Sequence, residues 1–80
     1  MTMKLIERID EAHRLYDMAM KIAEVNEAES DRLYIKACGE VCMAAQGIVR
    51  IVGGKIEVET AIKMIWDKPE EVKAILRKVA

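Results

Sequence analysis

The chain of 80 residues contains no phenylalanine, one tryptophan, one histidine, one proline and two cysteines. Without phenylalanine, a core has to be built mainly from aliphatic side chains and alanine. No apolar run approaches the roughly 18 residues that a membrane span needs, and the N-terminal residues lack the hydrophobic stretch of a signal peptide. These absences predict a cytoplasmic protein that does not enter the membrane and whose cysteines are reduced.

Neither sign of charge dominates, because 13 basic and 14 acidic residues give a net charge of −1. A broad basic surface for nucleic acid is therefore missing. The chain is instead 52% hydrophobic and 34% charged, which favours segregated apolar and charged helix faces over disorder. A chain of 80 residues is close to the size at which one core gives little net stability, so we expect it to self-associate as a homodimer.

The first half of the sequence predicts two long helices. Apolar residues recur at helical steps through residues 3–25, which is typical of an amphipathic helix. The pattern stops at residues 25–32, where Asn26 and Glu29 have the spacing of a capping box. A second helix is predicted over residues 32–52. Because the two apolar arcs keep the same phase, one unbroken helix is the alternative to a hairpin.

The second half predicts two short helices. Gly53 and Gly54 supply residues that commonly end a helix. A third helix is predicted from residue 56 to about residue 66, although the first four of these residues alternate as a short strand would. Asp67 as a cap and Pro69 in the first turn predict a fourth helix that ends near residue 79.

The predicted fold class is therefore all-α. An antiparallel hairpin of two long helices, residues 3–52, is followed by a short helical pair, residues 56–80, in one small helical bundle. Residues 1–80 are expected to form a single domain.

Cys38 and Cys42 lie one helical turn apart, so both thiols point the same way. Two thiolates are half of a tetrahedral zinc site, and a two-fold dimer would bring four together. The sequence has no second pair, and His13 is the one candidate for a mixed site. Both cysteines fall in the apolar arc that contains Val41 and Ala45, which predicts that they are small core residues between the helices. No metal or other cofactor is predicted.

Two glycines lie inside the predicted second helix, where each costs about 1 kcal/mol relative to alanine. Gly39 and Gly47 flank Met43 on the side away from the main apolar arc. Close approach of another helix backbone would account for that cost. Together with the flexible side chain of Met18 on the first helix, these residues form the predicted protein-interaction surface: Gly39, Met43, Gly47 and Met18.

The segment RIDEAH places Arg8 and His13 at an Arg-x4-His spacing, which resembles the motif of HEPN-type ribonucleases, small dimeric helical bundles. The resemblance implies that His13 assists attack by a ribose 2′-hydroxyl and that Arg8 binds the phosphate. Asp10 and His13 share one side of the helix and would bind a divalent metal if Glu40 joined them. A solvated polar face is the preferred interpretation of these charges.

Residues 61–78 resemble a helix-turn-helix unit, in which a cap, a proline, an acid and a valine open the recognition helix. The resemblance implies that Lys73, Arg77 and Lys78 face DNA. A plain helical hairpin that closes the bundle is the alternative.

The sequence offers little for catalysis. One histidine, two threonines and one serine do not assemble a nucleophile with a base and an orienting acid, and a phosphate-binding glycine loop is missing. We therefore expect a non-catalytic helical interaction or regulatory module that self-associates through its first two helices and contacts an unidentified protein partner. The alternatives are a small DNA-binding regulator and a HEPN-like ribonuclease that uses Arg8 and His13.

Overall fold

A computed structural model describes residues 2–79, which form four α-helices within that range: α1 (Thr2–Ile22), α2 (Glu27–Ile51), α3 (Val58–Asp67) and α4 (Pro69–Val79). The two long helices pack against each other along their length, and the two short helices follow them. This confirms the predicted all-α fold. The alternative of one unbroken helix is wrong, because residues 23–26 leave the helix and turn the chain back.

Polar side chains hold the hairpin turn. Asn26 caps α2, and its Oδ1 accepts a hydrogen bond from the Glu29 backbone N–H at 3.1 Å, as the capping pattern predicts. The buried Ser30 hydroxyl donates to the Ala19 carbonyl at 2.8 Å. That bond joins the last turn of α1 to the first turn of α2. Because Asn26 is the cap, α2 begins at Glu27, five residues before the predicted start.

The two glycines end α2 as predicted. Gly53 and Gly54 have φ values of 68° and 77°, a left-handed conformation that other residues avoid. The Gly54 N–H donates to the Val49 carbonyl at 2.9 Å, so one of the last carbonyls of the helix is satisfied. The chain then runs to α3 without forming a strand over residues 56–59. Asp67 belongs to α3, and Lys68 separates α3 from α4, so the prediction that Asp67 caps α4 is wrong.

The contact between α1 and α2 is built from small residues, and we call it the alanine seam. Each of its alanines is fully buried: Ala12, Ala19, Ala37, Ala44 and Ala45. Small side chains let two helix backbones approach closely. Larger aliphatic residues, among them Ile9 and Val41, fill the space beside the seam and are also buried.

The cysteines do not lie in this seam. Cys38 is half-buried and Cys42 is exposed, so the prediction that both are core residues is wrong. At about 100° per residue, Leu33 and Cys42 point in opposite directions around α2. Only one of them can face α1, and Leu33 is the buried one. Leucine removes more apolar area from water than cysteine does, which explains the preference.

The short helices close one side of the hairpin. Ile65 of α3 is fully buried, and Val72 and Leu76 of α4 are nearly so, all in one cluster with the hairpin core. Along residues 2–79, no helix combines the length and the apolar character that a membrane crossing requires.

Candidate functional site

The side of α2 that faces away from the alanine seam is uncovered. We call it the outer α2 face and define it by five exposed residues: Ile35, Gly39, Cys42, Met43 and Gln46. Ile35 is 69% exposed and Met43 is 50% exposed. A helix that is apolar on two sides normally packs on two sides. Within the described part of the chain, α1 and α3 contact α2 on the other side.

The two helical glycines have different surroundings. A Cβ atom placed on Gly39 would meet nothing within 4 Å, whereas one placed on Gly47 would lie 2.5 Å from Cδ2 of Leu5. Gly47 therefore serves the close approach of α1 inside the hairpin. Of the two, Gly39 is the one that leaves a helix backbone open to another molecule.

Met18 and Met43 lie beside charged residues of the hairpin. Met18 lines a shallow groove between α1 and α2, and Arg14 Nη1 is 3.1 Å from its sulfur. Arg8 Nη1 lies 3.2 Å from Glu40 Oε1 and 3.5 Å from Sδ of Met43. The guanidinium of Arg8 is thus held against α2.

His13 has a structural contact on a different side of α1. Its Nε2 lies 2.9 Å from the Ile65 carbonyl oxygen, and because a carbonyl only accepts, Nε2 is the donor. In a continuing helix that carbonyl would accept from residue 69, but Pro69 has no N–H. His13 supplies the missing donor. Within one chain, Arg8 and His13 do not converge as a ribonuclease pair would.

The three predicted basic residues of α4 are not equivalent. Lys73 turns back to α1, where its Nζ lies 2.6 Å from Asp10 Oδ1 and 2.8 Å from Glu70 Oε2. These two carboxylates raise the pKa of Lys73 above its ordinary value. Arg77 and Lys78 are exposed. Of the three, only these two are free to meet a phosphate, and DNA binding stays a prediction.

The residues weighed as metal ligands are separated. Asp10 pairs with Lys73 of α4, Glu40 pairs with Arg8, and His13 contacts α3. Among residues 2–79, no group of three or more histidine, cysteine, aspartate or glutamate side chains is arranged to hold an ion.

Sequence reasoning missed a cleft of about 420 Å³ between α1, α2 and α3, which we call the aromatic cleft. Its lining consists of His13, Tyr16, Asp17, Tyr34, Trp66 and Asp67. Both tyrosines, the single tryptophan and the single histidine of the sequence meet here. The small number of aromatic residues was the one sequence feature that could have drawn attention to this cleft. Because these residues lie on three different helices, only the tertiary fold shows that they come together.

A second cleft, of about 220 Å³, lies where the end of α2 meets α3 and α4. Its lining is entirely apolar: Ile48, Ile51, Val52, Ile56, Ala61, Met64, Val72, Ile75 and Leu76. It has no polar group that would orient a ligand.

Comparisons with protein-family models, with curated proteins and with solved structures found no match for this chain. Its function therefore has to be inferred from its own geometry.

Proposed function

We propose that this protein is a non-catalytic helical interaction module that forms a homodimer through the outer α2 face. The observation that carries the proposal is the open surface at the middle of α2, where exposed Ile35 and Met43 flank Gly39. A glycine there destabilises the isolated helix by about 1 kcal/mol relative to alanine. Close packing of a second helix against that position would offset the cost.

The charges of α2 favour a second copy of the chain in an antiparallel arrangement. Glu27 and Asp31 lie near the N-terminus of the helix, and Arg50 lies in its last turn. A two-fold axis near Gly39 would bring the acidic end of each α2 opposite Arg50 of its partner. The helix dipoles would also oppose each other favourably. A parallel pair would place Glu27 and Asp31 beside their own copies.

The same axis pairs complementary side chains. Ile35 and Met43 stand four residues before and after Gly39, so an antiparallel crossing at Gly39 places Ile35 of each copy against Met43 of the other. The thioether of methionine adapts to an irregular neighbour. Met18, at the edge of the hairpin, extends the surface toward a further protein partner.

The test measures mass in solution by analytical ultracentrifugation. We expect the wild-type chain to be a dimer, and Ile35→Glu and Gly39→Glu to be monomers that keep their helical circular dichroism. Val25→Glu is the matched control, because Val25 is 88% exposed but lies in the hairpin turn. It should remain a dimer. A monomeric wild type, or dimers that survive both α2 substitutions, would contradict the proposal.

Oxidation of Cys42 tests whether the two copies of α2 in the dimer run antiparallel or parallel. In the antiparallel arrangement, the Cys42 residues lie six residues out of register, about 9 Å along the axis, which is too far for a disulfide. A parallel pair would align them. We therefore expect no intermolecular disulfide when a Cys38→Ser variant is oxidised. A dimer that crosslinks through Cys42 would keep self-association but reject the antiparallel arrangement.

A further inference from the structure

The aromatic cleft gathers ring systems that the sequence uses nowhere else. The chain contains two tyrosines, one tryptophan and no phenylalanine, and all three aromatic residues line this cleft. Aliphatic residues build the buried core without them. Tyr16 and Trp66 also pack against the core cluster that contains Ala19 and Ala37. All three rings nevertheless line a cleft at the surface, where a ligand can reach them.

The rings meet at an angle and do not stack. Trp66 is the centre, with ring centroids 5.3 Å from His13 at an interplanar angle of 73° and 5.4 Å from Tyr16 at 56°. Tyr34 lies 6.0 Å from Tyr16 at 53°. Tyr34 is 46% exposed, and Tyr16 and Trp66 are half-buried, so part of each ring surface is open to solvent. The uncovered faces carry the negative side of the aromatic quadrupole.

The charge of the cleft has one sign. Asp17 and Asp67 line it, and no lysine or arginine does. Neither aspartate belongs to an ion pair among the described residues, although other acids of α1 and α4 do. The neighbouring Cys38 side chain raises the pKa of Tyr34 above its ordinary value, so this phenol adds no negative charge at neutral pH. The cleft therefore combines ring faces with two carboxylates and favours a cation.

We propose that the aromatic cleft binds an alkylated ammonium group, such as the trimethylammonium head of a choline-like molecule or of a methylated lysine. Aromatic faces attract such cations because the charge is spread over methyl groups that are easily desolvated. Asp17 and Asp67 add long-range attraction at the rim. A metal ion would instead need several oxygen ligands at fixed geometry. This site uses contacts within one chain and does not depend on the dimer.

Trp66, the single tryptophan, is a built-in reporter of this cleft. We would titrate the protein with choline at constant ionic strength and follow tryptophan fluorescence together with the indole N–H resonance in NMR. A saturable change is expected. The uncharged isostere 3,3-dimethylbutan-1-ol should bind about fivefold to tenfold more weakly. Equal binding of the isostere would show an apolar pocket, and absence of change in both signals would overturn the proposal.

Substitutions locate the binding. Tyr34→Ala and Asp17→Asn should each weaken choline binding about fivefold, and both change exposed residues, so the fold is expected to survive. Glu24→Gln, an exposed acid in the hairpin turn, is the matched control and should bind as the wild type does. If all three variants bind equally, the cation binds elsewhere.

Two further measurements distinguish a peptide ligand from a small molecule, and the aromatic cleft from the dimer surface. If a peptide with trimethyl-lysine binds more tightly than choline, and the same peptide without the methyl groups does not, the ligand is a methylated protein. If the methylated peptide and choline bind with equal affinity, the ligand is a small molecule. Titration of the Ile35→Glu variant separates this site from the dimer. It should bind choline with wild-type affinity, and loss of binding there would contradict a site within one chain.

Discussion

The alanine seam and the attachment of the short helices use different interactions. In the seam, α1 and α2 meet through small buried residues such as Ala12, Ala37 and Ala44, so close packing is the main interaction there. The short helices bury large aliphatic residues in the same core, and each of them also receives a polar contact from α1. His13 reaches the Ile65 carbonyl, and Asp10 reaches Lys73. The seam is therefore expected to tolerate added volume or charge poorly, whereas each polar contact contributes a smaller amount.

The largest effect is expected from a charge in the seam. Ala37→Glu would bury a carboxylate without a partner at a fully buried position, and we expect the free energy of unfolding to fall by about 3 kcal/mol or more. Ala28→Glu is the matched control, since Ala28 is exposed on the same helix, and should change stability by less than about 0.5 kcal/mol. Urea unfolding followed by circular dichroism measures both. Similar stabilities would show that the seam is not closed at Ala37.

The same glycine-to-alanine substitution, made at either Gly39 or Gly47, tests how closely α1 packs against α2. Gly39→Ala should raise the free energy of unfolding by about 1 kcal/mol, measured at concentrations at which the protein is monomeric, because alanine favours the helix. Gly47→Ala adds a methyl group 2.5 Å from Cδ2 of Leu5, and Leu5 is itself buried. Overpacking should make this variant about 1–2 kcal/mol less stable than Gly39→Ala. If Gly47→Ala is as stable as Gly39→Ala, Leu5 can move aside, and α1 and α2 are less tightly packed at this position than the distance indicates.

The first polar contact is tested at His13. His13→Ala leaves the Ile65 carbonyl without its donor and removes the imidazole ring that packs against Trp66. We therefore expect the free energy of unfolding, measured in urea, to fall by about 1–2 kcal/mol. His13→Gln keeps an N–H donor and should recover part of it. Unchanged stability in both variants would mean that burial of Ile65 alone positions α3. An RNA cleavage assay on the same variants addresses the ribonuclease alternative.

The smallest effect is expected at Lys73, whose side chain is only 12% exposed. The hydrogen bonds that Lys73 donates to Asp10, and then to Glu70, raise its pKa above the ordinary 10.5. A raised pKa in the folded state gives stability that is present below pH 10.5 and is lost as the pH rises through the folded-state value. Lys73→Met should lose up to about 1 kcal/mol at neutral pH, since its partners are solvated.

The alkaline range supplies the control for Lys73. Every other ionisable group is present in both proteins, so the difference in stability between wild type and Lys73→Met isolates this one group. That difference should shrink as the pH rises above 10.5 in a series of urea titrations. A constant difference would mean that Lys73 contributes through its aliphatic stem and not through its charge.

Local patterns predicted the helices well but the helix orientations less well. Asn26 with Glu29, the Gly53 and Gly54 pair, and Pro69 mark the breaks in the structure, because capping and left-handed turns depend on a few neighbouring residues. The buried side of α2 is predicted only in part, since Val41 and Ala45 are buried but Cys42 is exposed. Its sequence has apolar residues on two sides, one with Leu33 and Ala44 and one with Cys42, and periodicity alone does not say which side meets α1.

The two glycines of the predicted interaction surface lie in different surroundings. Gly39 is open at the surface, while Gly47 packs on Leu5. Both are helical glycines eight residues apart, and nothing local distinguishes them. Whether the outer α2 face binds a second copy stays a prediction for the ultracentrifuge.

By itself, the sequence determined a helical chain with breaks at Gly53 and Gly54 and near Pro69, since helical periodicity and turn chemistry act over a few residues. The structure decided that the first half folds back as a hairpin at residues 23–26 and is not one long helix. Only the tertiary structure decided that alanines and not cysteines form the seam, and that residues of α1, α2 and α3 bring every aromatic ring into one cleft. The reason is that apolar burial is not directional. Which surfaces lose their water depends on how whole helices pack, and that is not encoded in any short stretch of the chain.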